Sequence, residues 1–384
     1  MRGLLQRLWD RMFRSEPTDP GESPAGRVRG SVDHVILLDG TMGALKPELL
    51  TSIGLIYRLL RRAGPRVSVH YNKGLQWHSW RDLHDLWFGW AVNHQILRAY
   101  GWLSMRYRPG DRIFLIGYSR GGFAARSLAG MIDRAGLLRP EHATERNVRL
   151  AWRYYEAQKL SPVAGIFRKR FCHETSPIEM VGVFDSVRAL GIQLPLLWAL
   201  SEPRWRFHDD RLGPSVNHGY QALAYHETRR ILTPLIWDST NTGANRIEQV
   251  WFAGVHGDIG GQLGGFEAAR PRANIPLVWM LERAEALGLA LPPGWRAEFP
   301  TDPGAPSVGS WRHWGRMFLM RGARAVGRDL SERLHETVAP PRRRFALPWR
   351  AGSGGLAHDE TGGRAGGIKF AIRRAPNLAP GDPG

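Results

Sequence analysis

The sequence predicts an α/β fold, a mostly parallel sheet with helices on both faces. Two observations carry this. Short apolar runs of five to seven residues alternate along the chain with longer amphipathic stretches. The apolar runs also lack the strict in-out alternation of a half-exposed sheet, as expected for strands covered on both faces. A 384-residue chain with 43% hydrophobic residues and 16 tryptophans supports a large core. Cys172 is the only cysteine, so the chain cannot form an internal disulfide, which is compatible with a reducing compartment.

The first 30 residues read as a separate segment. In MRGLLQRLWDRMFRSEP, Leu4, Leu5, Leu8, Trp9, Met12 and Phe13 recur at helical spacing, with Arg2, Arg7, Arg11 and Arg14 elsewhere on the wheel. This is the pattern of a basic interfacial helix, or of a terminal helix docked on the body of the protein. The interrupting charges leave no continuous apolar core for a signal peptide, and no run of 18 apolar residues suggests a membrane span. The expected location is therefore the cytoplasm, with peripheral contact to a membrane or export by a specialised secretion system as extensions. SEPTDPGESPAGRVRG then reads as a linker.

The main folded domain is expected over 31–300. VDHVILLDGT opens it with a strand from Val32 to Leu38 and an Asp-Gly turn. LLTSIGLIYRLLRR follows as a helix, then VSVHY as a second strand at Val67 to Tyr71. An aromatic helical segment runs from Leu83 to Tyr107 and stops at Pro109-Gly110. RIFLIGY, Arg112 to Tyr118, is the third strand. IEMVGVF at Ile178 to Phe184 is read as the fourth and QVWFAGV at Gln249 to Val255 as the fifth. VRLAWRYYEAQ and HGYQALAYHETRRIL between them are read as helical. Beyond about Thr301 the chain is rich in Arg, Gly and Pro, so 301–384 is expected to be an extension partly packed on that domain.

RIFLIGY leads directly into Ser119, which stands between Gly117 and Gly121, and a helix with small residues in its first turns follows. A nucleophile on a strand-to-helix elbow needs a strained backbone and no bulk beside it, which the two glycines allow. The amide of Arg120 at the helix start is a candidate oxyanion donor. A serine needs a base held by an acid. VGVFDS places Asp185 after the fourth apolar strand, and VWFAGVHGDIGG places His256 after the fifth. The order Ser, Asp, His and the strand-end positions fit a catalytic triad. A turn or cap aspartate and a structural histidine are the plain alternatives for each residue taken singly.

FLIGYSRGGFAARSLAG, VGVFDSVRALG, VWFAGVHGDIGG and LLDGT together resemble the motifs of the α/β-hydrolase family that includes the type VI secretion phospholipase effectors. The similarity spans roughly Val32 to Phe266, with weaker echoes in LHETV and APNL. The resemblance implies a serine esterase acting on acyl esters, in some relatives glycerophospholipids. Ser119 would be the nucleophile, Asp185 the acid and His256 the base. Asp39, Gly40 and Thr41 match the first motif, and an amide of Gly40 or Thr41 is expected as the second oxyanion donor. The sequence departs from the pattern after Thr41 and in YNKGLQWHSWRDLHDLW, where the substrate pocket is expected to differ. No cofactor or metal is implied, and no oligomeric state is assigned.

Competing assignments accompany this. His335 is an alternative base. His256 and Asp258 have the spacing of a metal pair, with Asp39 or His226 as further ligands. Trp77, Trp80, Trp87, Phe88 and Trp90 fit an acyl-binding lid or ordinary helix packing. Arg120 fits a contact to a substrate phosphate or carboxylate, or a structural ion pair. The net charge of +18 suits anionic lipid or nucleic acid, or reflects only an arginine-rich genome. A binding protein on a hydrolase fold and a nucleic-acid-binding protein are the readings from other classes. The usual nucleic-acid signatures are missing, and Arg342 to Arg344 is the only concentrated basic block.

Overall fold

The computed structural model describes residues 30–74, 90–157, 161–187, 211–240, 246–311 and 320–338. The basic N-terminal segment, most of the aromatic stretch before Trp90, Arg342 to Arg344 and the APNL echo lie outside them.

Seven strands form one sheet: β1 (Asp33–Leu38), β2 (Val67–Asn72), β3 (Arg112–Tyr118), β4 (Ile178–Phe184), β5 (Val216–Ala224), β6 (Ile247–Phe252) and β7 (Glu332–Leu334). Their spatial order is β2-β1-β3-β4-β5-β6-β7, and every pairing is parallel. The chain runs outward from β1 to β2 and then returns to β3 on the other side of β1. That reversal is the topological switch point of the sheet, beside which open α/β sheets place their ligand crevice.

Seven α-helices are described: α1 (Ser52–Leu60), α2 (Trp90–Ser104), α3 (Arg120–Ala135), α4 (Glu145–Glu156), α5 (Pro162–Phe171), α6 (His256–Gly260) and α7 (Arg270–Ala286). Because side chains alternate across a strand, β1 sends Ile36 and Leu38 to one face and Val35 and Leu37 to the other. The first pair joins a core with α2, α3, α4 and Phe167 of α5. The second joins a core with α1 and α7. Both faces of the sheet are covered, as the apolar strands predicted.

One element corrects the sequence reading. HGYQALAYHETRRIL was expected to be helical, but its first part lies in β5, which pairs with β4 and β6. Residues 221–224 are all buried, and a continuously buried strand carries no two-residue period to mark it. His256 consequently follows the sixth strand. The segment after Thr301 also supplies regular structure, since β7 pairs with β6 at the sheet edge. Among the described residues no helix is long and apolar enough to cross a membrane.

Candidate functional site

The site is built at the carboxyl ends of β1, β3, β4 and β6. β3 passes into α3 through Ser119, whose φ of 55° and ψ of −120° depart from both strand and helix. A non-glycine residue in that region is strained by roughly 1–3 kcal/mol and persists only where its surroundings hold it. Here the Ser119 amide donates to the Phe184 carbonyl at 2.9 Å. The elbow also requires close backbone approach. A Cβ at Gly117 would lie 2.3 Å from the Gly121 carbonyl oxygen.

Ser119 Oγ lies 2.9 Å from Nε2 of His256, and Nδ1 of the same ring lies 2.5 Å from Oδ2 of Asp185. All three residues are buried. His256 opens α6, where Asp258 Oδ2 accepts from the Val255 amide and Glu227 Oε2 accepts from the His256 amide. The ring of Tyr118 lies 4.9 Å from the imidazole, and its hydroxyl donates toward the His256 carbonyl at 3.3 Å. The imidazole is thus held by its backbone and by the tyrosine beneath it.

Asp185 also has a left-handed backbone, with φ of 42°. Its carboxylate accepts from the Ala224 amide and from both terminal nitrogens of Arg324. Burial alone would raise its carboxyl above the usual carboxylate range. The Arg324 guanidinium and the His256 contact outweigh that and hold it well below the usual carboxylate range. Glu227 follows the same pattern, with burial opposed by the hydrogen bonds and charge of Arg229, and comes down to about 2.

Asp39, at the end of β1, is different. It accepts from the Gly40 amide, Thr51 and Tyr71, yet burial pushes its carboxyl up to about 6. The Gly40 amide, one of the expected oxyanion donors, is thus engaged by this carboxylate. Gly40 itself does lie against the serine, since a Cβ there would be 3.2 Å from Ser119 Cβ. The neighbouring Thr41 has a buried hydroxyl with no hydrogen-bond partner among the described residues.

Arg120, the first residue of α3, makes no ion pair among the described residues, so the structural pairing expected for it is not found. Burial lowers its guanidinium to about 10.

The other candidates fall elsewhere. His335 stacks on Phe252 at 4.4 Å and its Nδ1 lies 3.0 Å from Thr337 Oγ1, so His256 is the histidine within reach of Ser119. Asp258 accepts from Val255, Ser307 and Val308, and His226 accepts from the Gly254 amide. No group of three or more metal-ligating side chains is found among the described residues. Trp77, Trp80, Trp87 and Phe88 lie outside those residues, and only the backbone of Trp90 is described.

Tyr118, Glu227 and Arg324 were missed by the sequence reading. Tyr118 had a signal, as the residue directly before the serine. Arg324 had none, being one of 53 Lys+Arg with no motif around it.

Residues 33–283 match the family profile described as the catalytic domain of Tle1-like type VI secretion system phospholipase effectors. An uncharacterised protein of Saccharomyces cerevisiae, YEL023C, is 30% identical over 201 residues, which are 45% of this chain and 29% of that protein. The chain thus spans less than a third of that relative's length. Among solved structures, an uncharacterised Pseudomonas aeruginosa protein superimposes with a TM-score of 0.41 and 17% identity, covering 71% of this chain and 49% of the other. A Tle1 effector bound to the VgrG spike of a type 6 secretion system gives 0.33 and 15%, covering 65% and 55%.

Proposed function

The chain belongs to the family of Tle1-like type VI secretion phospholipase effectors, as represented by their catalytic domain, and on that premise we propose that it is a serine hydrolase of carboxylic acyl esters, with phospholipids as the substrate class. The observation that carries the reading is the continuous chain from Ser119 Oγ through His256 to Asp185, set on a strained elbow.

In the proposed mechanism Nδ1 of His256 carries a proton held by Asp185, leaving Nε2 free to accept. Ser119 attacks the ester carbonyl while His256 takes its proton; the Oγ–C bond forms as the carbonyl electrons move to oxygen. The imidazolium then protonates the departing alcohol as the ester C–O bond breaks, leaving an acyl-enzyme. Water, deprotonated by His256, attacks the acyl carbon. Ser119 departs with the returned proton and the carboxylic acid is released.

The oxyanion is assigned to the Arg120 amide at the start of α3 and to Thr41. An unpartnered buried hydroxyl next in sequence to Gly40, which lies against Ser119, supports the second assignment. The buried guanidinium of Arg120, with no ion-pair partner among the described residues, supports an anionic substrate. Delivery through a secretion system belongs to the same proposal, supported by the family, and contact with an anionic membrane is its extension from the net charge of +18.

The test is hydrolysis of mixed phospholipid vesicles and of short- and long-chain p-nitrophenyl esters by the wild-type protein and by Ser119→Ala. Loss of at least about 10³-fold in the variant is expected. Equal turnover by both proteins, or no turnover of any ester by the folded wild type, would overturn the reading.

A further inference from the structure

Asp185 receives more than the histidine it orients. Arg324 Nη1 donates to its Oδ1 at 2.5 Å and Nη2 to its Oδ2 at 2.9 Å. The same guanidinium donates from Nη1 to the Ala224 carbonyl and from Nη2 to the Leu232 carbonyl. Its side chain is 6% exposed and that of Asp185 is fully buried. Two parallel donors fix the plane of a carboxylate as well as its position. Oδ2 is the oxygen that Arg324 and His256 share.

Building on the serine-hydrolase reading, we propose that Arg324 is a positioning residue of the triad, which locks the rotamer of Asp185 and offsets part of its charge. It touches neither substrate nor reacting atoms and acts through Asp185.

The charge effect has a definite sign. A carboxylate beside an imidazole favours the cationic ring, and a guanidinium on that carboxylate weakens the preference. Among the described residues, the other charged or titratable groups around this cluster are Glu227 with Arg229, Tyr118, Asp39 beyond Tyr118, and Asp258 of α6. Glu227 is ion-paired with Arg229, and Arg324 is the cation ion-paired with Asp185. Its removal leaves the imidazolium with an unopposed anion. The acid limb of reactivity should then move to higher pH. A purely structural arginine would lower reactivity without moving that limb.

The experiment follows the rate of Ser119 labelling by a fluorophosphonate probe against pH, which needs no knowledge of the natural substrate. Wild type, Ser119→Ala, Arg324→Met and Arg324→Lys are compared. For Arg324→Met we expect a plateau rate about tenfold lower and an acid limb raised by about half to one pH unit. Arg324→Lys keeps the charge and loses the fork, so its limb should stay in place while its plateau falls. A wild-type rate and profile in Arg324→Met, or a lower rate with an unmoved limb, overturns the proposal. If Arg324→Met does not fold, Arg324→Lys decides, and a wild-type plateau there overturns it. If the wild-type serine itself is not labelled, the hydrolase reading fails and this inference fails with it; labelling that is lost in Ser119→Ala keeps the two failures distinct.

Discussion

Gly121 and Leu38 approach so closely that a methyl group on the glycine would lie 2.0 Å from the leucine carbonyl oxygen. The first turn of α3 is therefore pressed against the end of β1. This contact brings the serine elbow beside the turn containing Gly40 and Thr41.

Gly121→Ala should consequently disrupt the elbow. The added carbon meets backbone, which cannot swing aside as a side chain would, so we expect a loss of about 2–3 kcal/mol. Urea denaturation would measure it. Esterase activity should fall with it, because the serine moves when α3 is pushed away.

Ser119→Gly should be more stable than Ser119→Ala, although neither can act as a nucleophile. The backbone at Ser119 has positive φ, which alanine tolerates poorly and glycine readily. We expect a difference of about 1 kcal/mol in chemical denaturation. Equal stability would mean that the elbow is unstrained.

Glu227 contributes to acid stability. Its folded carboxyl is held at about 2, against an ordinary 4.5. The stabilisation is thus fully present above about pH 4.5 and is lost as pH falls toward 2. Asp39 has the opposite sign: raised to about 6 from 3.8, it favours the folded state below about pH 3.8 and loses that contribution as pH rises through 6. Melting temperatures of Glu227→Gln should lose part of the wild-type decline below pH 4.5, and those of Asp39→Asn part of the decline between 4 and 6.

Arg120→Met should separate substrates by charge. Hydrolysis of an anionic phospholipid should fall by about tenfold more than hydrolysis of a neutral p-nitrophenyl ester, since a charged hydrogen bond is lost from only one of them. An equal effect on both would assign the guanidinium to packing.

Much of this arrangement was legible before any coordinates. β1, β3 and β4 are apolar runs ending in Asp39, Ser119 and Asp185, and strand ends are local features of a sequence. β5 was not legible as a strand. Its second half is buried on both faces, so its composition is that of an inner helix as much as of a central strand. The engagement of the Gly40 amide was invisible because it depends on which way the Asp39 carboxylate turns. Glu227 and Arg324 were hidden for another reason: their contacts to the site cross 29 and 139 residues of chain, and no periodicity carries such information.

The distance between Asp185 and Arg324 also orders events in time. As the polypeptide leaves the ribosome, the aspartate appears first and its cation follows 139 residues later. A carboxylate sealed inside a protein without a balancing charge is costly, so the end of β4 cannot settle early. Ser119, Asp185 and His256 all precede the arginine, and the strand that closes the sheet edge arrives just after it. The nascent chain thus carries Ser119, Asp185 and His256 for a long interval before Arg324 can join them.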